Sequence, residues 1–194
     1  MVFREAEMNI YKKWQNNENS GDRQILALII GALIFPTGIP AILVFLLPQV
    51  DKRMGIGSFY FGYGNIIIGV IAVIVGGFLG IWTIIAQIKL ASGTPFPMLP
   101  TKKLIITGPY QYCRNPMTLG TIVAYSGVAI WVGSFTALLA VVIFLLLLVV
   151  YLKLIEEKEL ELRFGQEYVE YKKTTPFILP IRFVKVERDR KQEK

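Results

Sequence analysis

The chain has no histidine and a single cysteine, Cys113, among 194 residues. Histidine-based triads, imidazole general bases, zinc sites and disulfides are excluded by that composition. Charge is scarce too: 18% of residues are charged and 54% are hydrophobic, too apolar for a soluble single domain. Acidic residues are the rarer sign, 14 against 21 Lys plus Arg, for a net charge of +7. Beside long apolar runs, this excess points to membrane lipids as partner and away from nucleic acid. No metal is expected either.

Uncharged sequence fills the space. No charged residue occurs from Gln24 to Val50, from Met54 to Ile88 or from Asn115 to Leu152. Each run exceeds the roughly 20 apolar residues that cross a bilayer. The third, about 38 residues, would reach about 57 Å as one helix, so it must fold back, and Trp131-Val132-Gly133-Ser134 is the turn. The expected fold is an all-α integral membrane protein with four crossings, the last two a helical hairpin. These crossings run from Ile25 to Leu47, Phe59 to Ile88, Met117 to Val132 and Phe135 to Leu154. Pro36, Gly38 and Pro40 interrupt the first run, and a break there makes five helices of four crossings. Gly76 and Gly80 form a small-xxx-small pair, open to close helix approach or to the ordinary scatter of glycine in membrane helices.

The chain divides into a polar head over 1–24, two spans over 25–93, a catalytic region over 94–180 and a basic tail over 181–194. The head reads as preceding an uncleaved span, with Phe3, Ile10 and Trp14 on one face of a candidate interfacial helix. Four crossings put nineteen of the 21 Lys and Arg on one side and leave Lys52 and Arg53 on the other. The positive-inside rule makes the richer side cytoplasmic, with both termini and both polar segments of the catalytic region on it.

Those segments are Thr94 to Pro116 and Glu156 to Pro180. The prolines of the first fix an extended path along the membrane surface. The second continues the last span as a helix, with Glu156, Leu160 and Phe164 at i, i+4 and i+8, until Gly165 permits a break. Taken alone, Glu156 and Glu157 also suit a solvated acidic stripe, and Tyr110 and Tyr112 suit an interfacial aromatic belt.

Gly108-Pro109-Tyr110-x-Tyr112-x-Arg114-Asn115-Pro116-Met117 resembles the first motif of integral-membrane isoprenylcysteine carboxyl methyltransferases and their phospholipid methyltransferase relatives. Glu156-Glu157-x-x-Leu160-x-x-x-Phe164-Gly165-x-x-Tyr168-x-x-Tyr171, followed by Pro176 and Pro180, is similar to the second. The resemblance spans Thr94 to Pro180 and implies a multi-pass methyltransferase, its active site facing the cytoplasm, that uses S-adenosylmethionine without a nucleotide-binding sheet. It implies cofactor contacts from Lys102, Lys103, Leu104, Ile105, Tyr110, Asn115, Pro116, Met117, Thr118 and Glu156. Asn115 stands where the family has histidine, Thr118 where tyrosine is common, and Leu152 where a substrate-binding arginine is expected. Arg114 and Lys153 are the candidates to replace that arginine, with Glu157 supporting the catalytic site beside them. The implied reaction is methyl esterification of an isoprenylcysteine-type carboxylate on a lipidated acceptor. A carboxylate is ionised at neutral pH and needs no general base. The alternatives are N-methylation of a phospholipid amine and, in another class, a non-catalytic transport or assembly subunit.

Overall fold

The computed structural model describes residues 25–26, 29–31, 33–91 and 103–180, and all regular structure among them is helical. The polar head, the stretch from Thr94 to Pro100, Lys102 and the tail beyond Pro180 lie outside the described residues. Helix α1 spans Ile29–Arg53, α2 Tyr63–Ala91, α3 Pro116–Val132, α4 Phe135–Phe164 and α5 Gln166–Thr174. By length and composition α1, α2 and α4 can each cross a bilayer. The 17 residues of α3 are also apolar but span only about 26 Å, slightly less than the hydrocarbon core.

The prolines of α1 do not break it. Two π-helical turns, Ile34–Gly38 and Ile42–Leu46, widen the helix where Pro40 and Pro48 would otherwise press on the preceding turn. Ile39 N–H therefore donates to Ile34 O. Residue five beyond Phe35 is Pro40, which has no N–H to give. The orphaned Phe35 carbonyl accepts instead from the Tyr125 hydroxyl of α3, at 2.7 Å. Tyr125 then packs its ring against Phe144 of α4 inside the central apolar cluster of Leu43, Val128, Ala129, Ala137 and Val141.

Helices α2 and α3 lie in backbone contact. A Cβ on Gly76 would stand 2.4 Å from Gly120 O and 2.5 Å from Ala124 N, and one on Gly127 would stand 2.7 Å from Gly69 O. Gly69 and Gly76 are thus the small residues of the seam. Gly80 lends its backbone to it, but a Cβ there would meet nothing within 4 Å.

The hairpin between α3 and α4 turns where the sequence places it. Gly133 takes φ +70°, in the left-handed region that glycine favours, and a Cβ there would collide with Phe59 O at 2.4 Å. Ser134 caps α4 by accepting from Ala137 N–H at 3.1 Å, while its own hydroxyl donates to buried Asp51 at 2.5 Å. Asp51 also accepts Thr136 N–H at 3.1 Å, fastening the end of α1 to the start of α4. At the same end Asn65, fully buried, donates to Ile130 O and Phe59 O and accepts from Phe61 N–H.

Helix α4 continues beyond the expected end of the crossing at Leu154 to Phe164, as the spacing of Glu156, Leu160 and Phe164 predicts. A third π turn, Leu152–Glu156, interrupts its regular spacing. Gly165, at φ +56° and ψ −130°, then breaks the chain into α5. The Asp51 end and the Glu156 end are opposite ends of the bundle.

Candidate functional site

Gly108, at φ +63°, turns the loop after α2 into the single 3₁₀ turn Gly108–Gln111. That turn sets Tyr110 against α2, where Gln87 Nε2 donates to the Tyr110 hydroxyl at 2.6 Å. The Tyr171 hydroxyl of α5 donates to the Tyr110 backbone carbonyl at 2.6 Å, so Tyr110 is held at both ends. Burial pushes the Tyr110 hydroxyl well above the usual tyrosine range, and it stays protonated.

The next residues are tied to the segment that follows α5. Arg114 N–H donates to Pro176 O and Asn115 N–H to Phe177 O, at 2.9 and 3.1 Å. Asn115 Nδ2 donates to the same Phe177 oxygen at 3.0 Å, leaving its side-chain carbonyl oxygen as the available atom. Arg114 Nε donates to Thr175 O, its guanidinium lies over the Phe177 ring, and Nη1 pairs with the Glu157 carboxylate. Glu157 is shared with Lys172 at 2.8 Å, and Lys172 also reaches Glu161 at 2.9 Å. Hydrogen bonds that Lys172 donates to these two carboxylates raise its pKa above the ordinary lysine value.

Neighbours on a regular helix point about 100° apart, and the π turn that ends at Glu156 adds a residue to the register. Glu156 lines a cleft, whereas Glu157 is turned to Arg114 and Lys172. The cleft encloses about 180 Å³ and is open at its mouth. Tyr110, Arg114, Asn115, Pro116, Met117, Thr118 and Glu156 meet on its wall.

Other candidates lie elsewhere. Lys103 is exposed, Leu104 half-buried and Ile105 buried, and none of the three lines the cleft. Lys153 is exposed with its ammonium 5.2 Å from the Phe177 ring centre, outside the cleft wall. Tyr112 is half exposed and packs on Trp82. The cleft also uses residues the motifs did not indicate. Gln87 enters from α2, Phe35 from α1, Thr121 from α3, and Phe144 and Leu148 from α4. Gln87 alone left a trace in the sequence, as an amide near the end of an apolar run where polar groups are expensive.

Residues 65–167, more than half of the chain, match the phospholipid methyltransferase family. The chain belongs to that family and is by class a membrane methyltransferase. The match begins inside α2, upstream of both sequence motifs, and so takes in Gln87. No curated protein and no solved structure matches the chain.

Proposed function

We propose that the cleft binds S-adenosylmethionine and that the chain methylates the carboxylate of a lipidated, isoprenylcysteine-type acceptor at the cytoplasmic membrane face. One observation carries this reading: both motif segments, separated by a whole hairpin, contribute side chains to a single cleft. The residues suit the cofactor. Glu156 answers its cationic amino-acid end, the Asn115 carbonyl oxygen and the Tyr110 ring add polar and aromatic wall, and Oε1 of Gln87, without a partner among the described residues, answers an N–H. When bound, the cofactor supplies an electrophilic methyl group on a positively charged sulfur.

The rest of the chemistry falls to positioning. Phe35, Phe144 and Leu148 give the cleft an apolar end suited to the lipid part of an acceptor. Arg114 stands at the polar end, its Nη2 engaged by no hydrogen bond among the described residues, where it can orient a carboxylate. Attack of an anion on a cationic centre disperses charge, so a cleft that excludes water favours it.

A second reading, N-methylation of an aminophospholipid, is favoured by the family's description and by Glu156, which could take the proton an ammonium must lose. Purified protein in vesicles, given labelled S-adenosylmethionine and a panel of prenylcysteine analogues and aminophospholipids, separates the two. Label on the prenylcysteine as a base-labile ester is the expected result. Label on the phospholipid amine would replace the carboxylate reading, and label on neither class would defeat both.

A further inference from the structure

Gln87 is the polar side chain that α2 brings to the cleft between two elements already discussed, and its amide is only half used. Nε2 donates to the Tyr110 hydroxyl at 2.6 Å, while Oε1 is buried with no hydrogen-bond partner among the described residues. An acceptor withdrawn from solvent and left unpaired is unfavourable unless something fills it, and here its residue lines the cleft. The neighbouring group complements it. Tyr110 accepts from Gln87, so its own proton remains to be given, and burial keeps that proton on the oxygen across the neutral range. Gln87 and Tyr110 therefore offer one acceptor and one donor side by side.

S-adenosylmethionine has two kinds of N–H group. Its ammonium carries only donors and a full charge, which the Glu156 carboxylate matches better than a neutral amide does. Its adenine carries a neutral 6-amino donor flanked by ring-nitrogen acceptors, the pattern that glutamine and asparagine side chains read in nucleic acids. We propose that Gln87 reads the base of the bound cofactor, its Oε1 accepting from the adenine 6-amino group, with Tyr110 as the residue that holds the amide in place. This rests on the cleft being the S-adenosylmethionine site.

Calorimetry with the product S-adenosylhomocysteine and with its analogue carrying unsubstituted purine in place of adenine tests it without turnover. The wild-type protein should prefer the adenine compound about tenfold or more, the usual scale for a buried acceptor left unpaired. Gln87→Met should lose about tenfold in affinity for S-adenosylhomocysteine and bind the two compounds equally. Gln87→Leu serves the same purpose should the methionine variant not fold, and the wild-type comparison needs no variant. Wild-type protein that binds both compounds alike, or a variant that keeps the wild-type preference, overturns the role of Gln87 while leaving the cofactor site intact. Wild-type protein that binds neither overturns the cofactor site and this inference together.

Discussion

Arg114 and Glu157 stand 43 positions apart and meet in one buried ion pair, spanning the helical hairpin that separates the two motif segments. The pair joins the loop before α3 to the far end of α4. With Lys172 on the outer side of Glu157, it also recruits α5. The cleft is built around this tie, and adjacent residues can be assigned different work.

Glu156 and Glu157 should separate by measurement. Glu156→Gln should weaken S-adenosylhomocysteine binding roughly ten- to a hundredfold, the range for a charged contact of about 1.5 to 3 kcal/mol, with little change in melting temperature. Glu157→Gln should instead lower stability by about 3 to 5 kcal/mol, because it leaves the Arg114 guanidinium buried beside a neutral partner. Titration calorimetry and thermal unfolding in one detergent read both. Equal effects of the two variants on stability would reject the division.

The glycine seam predicts a contrast between neighbours. Gly76→Ala drives a methyl against Gly120 O and Ala124 N, backbone atoms that cannot swing aside, and should cost about 1 to 3 kcal/mol. Gly77→Ala meets nothing within 4 Å and should be neutral or mildly stabilising. Melting curves of the two variants side by side decide it.

Topology is testable with the native cysteine removed. In a Cys113→Ser background, Lys52→Cys at the end of α1 and Lys173→Cys in α5 are both exposed positions. A membrane-impermeant maleimide added to intact cells should label position 52 and spare position 173. Labelling of both, or of 173 alone, contradicts four crossings with a cytoplasmic cleft.

At the opposite end of the bundle, Ser134→Ala removes both the cap of α4 and a hydrogen bond to buried Asp51. A loss of about 1 to 2 kcal/mol is expected from the cap, more if Asp51 Oδ2 finds no donor in place of the serine. Binding of S-adenosylhomocysteine at 25 °C should be unaffected, since cleft and cap lie at different ends. A matching loss of affinity in the folded variant would show that the two ends communicate.

The helices and the hairpin were legible because charge-free runs and a Gly-Ser turn are local signals that lipid makes nearly obligatory. Seven cleft residues from the two motifs were likewise reachable, since the resemblance attaches to short segments. What stayed hidden depends on relations between helices. Proline reads as a break, yet the π turns of α1 absorb it, because a wider turn relieves the clash that a one-dimensional rule assumes. Lys153 was a candidate to replace the arginine expected at Leu152, but its ammonium lies over Phe177 and outside the cleft wall, a placement that depends on the π turn Leu152–Glu156 and on the segment after α5. Gly76 and Gly80 read as a small-xxx-small pair or as ordinary scatter, and that only Gly76 needs the missing Cβ could be seen only with α3 in place.

The hydrogen bond from Tyr125 to the carbonyl of Phe35 makes two distant positions a single heritable unit. A proline at position 40 creates an unpaired carbonyl in apolar surroundings, and the tyrosine at position 125 repairs it. Either change alone leaves a polar group stranded: Pro40→Ala offers the carbonyl a backbone partner and idles the hydroxyl, while Tyr125→Phe abandons the carbonyl. Drift in this lineage should therefore exchange the two residues together. A homologue with an ordinary N–H at the place of Pro40 is free to carry phenylalanine at the place of Tyr125, and one that keeps the proline is not.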